Sequence, residues 1–159
     1  MITEKDRQFL ERAIELSRLG MGNGKGGPFG CVIARDNEIA GEGSNMVITL
    51  NDPTAHAEVV AIREACKKLN TFQLTGCTIY TSCEPCPMCL GAIYWARPEK
   101  VIFSNTRKDA AAIGFDDDLI YREINRSLEE RKIPFIHVPH LEAKEIFEAW
   151  KKLESKKQY

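Results

Sequence analysis

The chain has 159 residues, enough for one domain to bury a core without disulfide staples. Its 22 Lys and Arg against 23 Asp and Glu leave a formal charge of −1, which disfavours nucleic acid as a partner. No apolar run approaches the roughly 20 residues that span a membrane, and Met1-Ile2-Thr3-Glu4-Lys5-Asp6 lacks the apolar stretch of a secretory signal. Six cysteines are therefore expected as thiols in a soluble, cytoplasmic protein.

Phe9, Leu10, Ala13, Ile14 and Leu16 recur at helical spacing and predict an amphipathic helix over about residues 3–19, ended by Gly20. The run Gly20 to Gly27 tempts a phosphate-loop reading. It follows a helix where that motif needs a strand, and Gly26 stands where Ser or Thr must follow the lysine, so a mobile loop is expected. Phe29 to Arg35 and Glu38 to Gly43 flank Asp36-Asn37 as a β-hairpin. Asp52-Pro53-Thr54 carries helix-start chemistry, with Val59, Ile62, Cys66 and Leu69 continuing at helical period. A strand over Thr78 to Thr81 leads to a cysteine-rich turn, and Pro87 suits the first position of a helix running to Ala96, where Arg97-Pro98 stops it. Val101 to Phe103 reads as a short strand, Leu119 to Ile124 as a short helix and Phe135 to Val138 as a fifth strand. A polar stretch from Arg126 to Lys132 precedes a terminal helix with Ala143, Ile146, Phe147, Trp150 and Leu153 on one stripe. Strands alternating with helices predict an α/β layered domain over 1–159, in which 126–159 packs on the core or exchanges with a partner subunit.

The chemistry concentrates in two segments, His56-Ala57-Glu58 and Cys86-Pro87-Met88-Cys89. A catalytic zinc takes three N or S ligands and keeps its fourth position open, and His56, Cys86 and Cys89 supply three. On a helix, His56 and Glu58 point to roughly opposite sides of the axis, so both serve one metal only over the helix's open end. With Pro87 first in its helix, Cys86 is the cap and Cys89 the third residue, so the metal sits between two helix N-termini that favour thiolate. Glu58 is then the general base. The alternative is a structural zinc knot completed by Cys83, which would leave Glu58 without a task. Cys31, Cys66, Cys77 and Cys83 are expected as packing thiols.

The combination H-x-E with a later P-C-x-x-C is the signature of zinc nucleobase deaminases. The chain resembles the cytidine deaminase-like superfamily, and more closely its guanine deaminases. The closer resemblance runs through Gly27-Pro28-Phe29-Gly30, Asn51 to Glu58, Thr81 to Pro98 and Gly114-Phe115-Asp116-Asp117 to the terminal Tyr159. It implies a three-layer α/β/α fold with a five-stranded mixed sheet, one zinc per chain, a homodimer and conversion of guanine to xanthine and ammonia. It also implies that Asn45 and the Ala57 amide hold the purine carbonyl and that Phe29, Trp95 and Phe115 enclose the ring. Asp117 would carry a proton to the exocyclic amine, and Tyr159 would close the pocket. Rivals with the same zinc site are guanosine, cytosine, aminotriazine and tRNA adenosine deaminases. A non-catalytic zinc-binding module is the rival from another class.

Overall fold

The computed structural model describes residues 2–158 and divides into two compact units, Met1–Asp117 and Asp118–Tyr159. The second begins at Asp118, ahead of the polar segment at Arg126.

Helix α1 (Glu4–Gly22) starts on a capping box: Thr3 Oγ1 accepts from the Asp6 amide, and Asp6 accepts from the Thr3 amide at 2.8 Å. The hairpin of β1 (Gly30–Arg35) and β2 (Glu38–Ser44) turns on Asp36 and Asn37, with φ of 52° and 64°. Two left-handed residues give a turn whose twist matches its strands, and Asp and Asn tolerate that region. A four-residue α2 (Val47–Leu50) follows, then α3 (Ala57–Leu69), β3 (Thr78–Cys83), α4 (Pro87–Ala96), β4 (Lys100–Asn105) and a short α5 (Arg107–Ala112). The α3 start differs from the expected one at Asp52. Asp52 Oδ1 instead accepts from both the amide and hydroxyl of Thr54, closing an Asx turn that delivers His56 as the helix cap.

The strands form a mixed sheet in the order β2-β1-β3-β4, with β1 antiparallel to both neighbours and β3 parallel to β4. Alternation divides the strand residues between two faces. Val32, Ala34 and Tyr80 pack with Phe9 and Ala13 of α1. Cys31, Ile33 and Ile79 pack on the other face with Ala57, Ala61 and Ala65 of α3 and with Ile93 and Ala96 of α4. This is the expected three-layer α/β/α arrangement. The fully buried Ile33 and Ile79 each contribute roughly 1.5–3 kcal/mol. Helix α3 lies directly on β2 because alanines face glycines: a Cβ on Gly43 would stand 2.4 Å from the Ala57 carbonyl oxygen. From the other face, Tyr80 donates to Asp6 at 2.6 Å and ties the start of α1 to the sheet.

The sheet has four strands among the described residues, not five. Phe135 to Val138 lies in no strand, and among the described residues β4 ends the sheet. The second unit consists of α6 (Asp118–Ile124), a 3-10 turn (Leu128–Glu130) within the polar segment and α7 (Leu141–Lys152). The Lys132 amide donates to Glu123 at 2.6 Å, and the Arg131 guanidinium lies 4.7 Å from the Phe135 ring centre. The α7 apolar stripe is exposed, Ile146 at 61% and Phe147 at 77%. No helix among the described residues is long and apolar enough to cross a membrane.

Candidate active site and metal centre

The site is built at two helix N-termini beside the carboxyl end of β3. His56 caps α3 and Cys86 caps α4, both in extended conformation and neither closing a side-chain cap hydrogen bond. Their side chains are thus left to face each other, and Cys89 joins them from the first turn of α4. His56 Nδ1 lies 3.5 Å from Cys86 Sγ and 3.6 Å from Cys89 Sγ. A tetrahedral zinc with ordinary Zn–S and Zn–N bonds separates N from S by about 3.6 Å, so the triangle has the size such an ion demands. The three ligating atoms all lie within 4.8 Å of one another, and the zinc fits through His56 Nδ1. Cys83 is buried, and its thiol donates to the Thr106 carbonyl at 3.6 Å, so it is directed away from a fourth-ligand role.

The electrostatics are those of a cation site. The Cys89 thiol and the His56 ring hold Cys86 down to about 4. Cys89 is raised because its proton is held against the Cys86 thiolate, and burial adds to that. A divalent ion replaces that proton and stabilises both thiolates. The hydrogen bond to Cys86 raises His56.

Glu58, the second residue of α3, is 6% exposed. One carboxyl oxygen accepts from Cys89 Sγ at 3.4 Å and the other from Thr81 Oγ1 at 3.3 Å. Burial raises its carboxyl above its ordinary value, which favours uptake of a proton by this group. The sequence reading missed Thr81, whose inward direction follows only from its register on β3 opposite Cys31. It also missed Ser82, which accepts from the Gly30 amide at 3.0 Å and fixes the start of β1.

Two of the residues named from resemblance lie beside this centre, Ala57 between His56 and Glu58 and Asp117 within reach of the Cys86 charge. Ala57 is the first residue of α3, so its N–H has no carbonyl one turn back and points from the helix end. Asn45 is buried, its Oδ1 accepts from the Val47 amide at 3.2 Å, and its own amide donates to the Phe29 carbonyl at 3.0 Å. Phe29 and Phe115 meet edge to face with ring centres 4.9 Å apart. Asp117 is half-buried where Asp116 and Asp118 are exposed, and burial first, then the nearby Cys86 charge, raises its carboxyl. Trp95 is 64% exposed in the last turn of α4. Tyr159 lies outside the described residues. All six cysteines are free, and Cys31, Cys77 and Cys83 are buried, in line with packing thiols.

Residues 3–105 match the cytidine and deoxycytidylate deaminase zinc-binding region. The chain belongs to that family. Guanine deaminase of Bacillus subtilis is 56% identical over 151 residues, 95% of this chain and 97% of that protein. The X-ray structure of guanine deaminase from Bacillus subtilis superposes with a TM-score of 0.94 at 56% identity, covering 96% of this chain and 98% of that one. The tRNA-specific adenosine deaminase of Aquifex aeolicus is 39% identical over 127 residues, 79% of this chain and 82% of that protein. Membership makes the zinc a resident cofactor of this deaminase fold.

Proposed function

We propose that this chain hydrolyses guanine to xanthine and ammonia. The observation that carries the reading is the convergence of His56, Cys86 and Cys89 with the buried Glu58 carboxyl at two helix ends. The 56% identity to a guanine deaminase along nearly the whole chain supports the substrate.

Zinc held by His56 and the two thiolates supplies Lewis acidity that brings the pKa of water near 7. Glu58 takes a proton as water adds to C2, the amidine carbon, and passes it to N3. Asp117 accepts a hydrogen bond from the 2-amino group and relays to it the proton of the C2 hydroxyl; the C–N bond breaks, the C2 oxygen becomes the carbonyl of xanthine and ammonia leaves. Asn45 and the Ala57 amide donate to the purine carbonyl oxygen. The Phe29–Phe115 corner, together with Trp95, holds the flat ring, and aromatic edges and faces suit that task.

The chain acts as one deaminase domain in a cytoplasmic homodimer, with 126–159 packing on the second copy. The exposed apolar stripe of α7 supports this, because contiguous exposed apolar surface commonly marks a protein–protein contact. Light scattering at micromolar concentration gives twice the chain mass if this holds and the chain mass if it fails.

The rival with the next best support is tRNA adenosine deamination, given the 39% identical relative. The near-neutral charge favours a small substrate, since phosphate binding needs a basic surface. An ultraviolet assay with guanine, guanosine, cytosine, an aminotriazine and an adenosine-containing tRNA anticodon stem decides between them. Turnover of guanine alone supports the proposal, and turnover of any other substrate with guanine untouched overturns it. Asp117→Asn is expected to keep zinc and lose most turnover; parental rates would remove Asp117 from the mechanism.

A further inference from the structure

The glycine-rich run from Gly20 to Gly27 is the sequence feature that this chemistry leaves unused. It is tied down rather than loose: the Lys25 amide donates to the Gly20 carbonyl at 3.0 Å, and the Lys25 carbonyl accepts from the Thr49 amide at 3.3 Å. Within it only Gly24 has a left-handed backbone, with φ +66°, so conformation does not require glycine at 26 or 27.

Space does. A Cβ on Gly26 would lie 2.0 Å from Asn45 Oδ1 and 2.9 Å from the Asn45 carbonyl oxygen. A Cβ on Gly27 would lie 2.7 Å from Phe115 Cζ and 2.9 Å from Phe29 Cε2. Two adjacent glycines thus leave room for the amide and the ring pair assigned to the substrate. The crowded atoms are mostly the far ends of side chains, which can rotate away. This differs from Gly30, where a Cβ would meet the Ala13 carbonyl oxygen at 2.1 Å, or Gly43 beneath α3, where backbone must move.

We propose that Gly26 and Gly27 are positioning residues that seat Asn45 and the Phe29–Phe115 corner against the purine. The inference rests on the substrate roles given to those three residues. A methyl at position 26 pushes the Asn45 amide off the Val47 N–H that fixes its orientation. Its donor is then re-aimed. A methyl at position 27 wedges the two rings apart. At position 27 relief through side-chain rotation spares the fold while it damages the pocket; at position 26 the Asn45 carbonyl oxygen, 2.9 Å from the methyl, must shift as well, which displaces the same residue.

The test uses the zinc-loaded protein with Gly26→Ala, Gly27→Ala and, as a control, Gly22→Ala, where nothing lies within 4 Å of the added methyl. Affinity for 8-azaguanine is measured by calorimetry, with zinc content, melting temperature, kcat and KM for guanine alongside. Gly26→Ala and Gly27→Ala should weaken binding by about tenfold or more and raise KM, with zinc at one per chain and melting near the parent. Gly22→Ala should bind as the parent does. In a double-mutant cycle, the penalty of Gly27→Ala should shrink when Phe115 is already Leu, because the two then no longer share space. Parental affinity in both variants, a fully additive cycle, or weakening matched by lost zinc and melting each overturns the proposal. If the parent neither binds 8-azaguanine nor turns over guanine, the substrate reading has failed and this inference falls with it.

Discussion

Thr81→Val tests how Glu58 is held. The Thr81 hydroxyl is 1% exposed and lies 3.3 Å from Glu58 Oε1 and 3.4 Å from the Gly30 carbonyl oxygen. One hydroxyl proton serves two acceptors, so it orients the carboxylate when Glu58 is charged and turns to Gly30 when Glu58 is protonated. Valine has nearly the same shape and removes the hydroxyl, and with it the bonds to Glu58 and to the Gly30 carbonyl. A hydrogen bond to a charged group contributes about 1.5–3 kcal/mol, and the long separation places this one at or below the lower end. Taking about 1–1.5 kcal/mol gives a fall of roughly 5- to 15-fold in kcat. KM should change little, because the bond acts on the base and not on the bound ring. Thr81→Ser restores the hydroxyl and should recover most of the rate. Steady-state kinetics on guanine, with zinc measured by elemental analysis, provide the assay. A folded, zinc-loaded Val variant with parental kcat, or a Ser variant as slow as Val, would refute the reasoning.

Tyr80→Phe removes the first of the hydrogen bonds, from Tyr80 and then Thr3, that hold the Asp6 carboxyl well below the carboxylate range. A carboxyl depressed on folding stabilises the protein above its unfolded pKa of about 4, and that stability is lost as pH falls below it. The variant should therefore unfold at higher pH in an acid titration followed by circular dichroism; an unchanged midpoint would count against the Asp6 anchor. Gly43→Ala should lift α3 off β2, where the Ala57 oxygen stands 2.4 Å from the new methyl. Overpacking of this kind costs about 1–3 kcal/mol, or roughly 2–12 °C in melting temperature, and a scan showing no loss would contradict the close packing.

The metal site was legible from sequence because helix geometry alone restricts it. His-x-Glu can serve one ion only from a helix end, and Pro87 fixed where the second helix starts, so His56 and Cys86 are caps as expected. The Asp36-Asn37 turn announced its hairpin through residues that tolerate positive φ. Asp52 misled because Asx turns and helix caps use the same side-chain chemistry, and only the backbone beyond Thr54 distinguishes them. Helices α2 and α5 are too short to carry a period. Phe135 to Val138 has strand-forming residues, but pairing is a tertiary property, and this segment has none among the described residues. Thr81 and the Gly26-Gly27 pair were invisible for a related reason: their significance lies in what crosses from other elements.

The central claim is that Glu58 moves the proton in a zinc-dependent deamination of guanine, and Glu58→Ala tests it most directly. Guanine turnover and bound zinc should be measured together on parent and variant. The account predicts one zinc per chain in both and xanthine formation in the parent alone. Equal xanthine and ammonia release by the two proteins would contradict it.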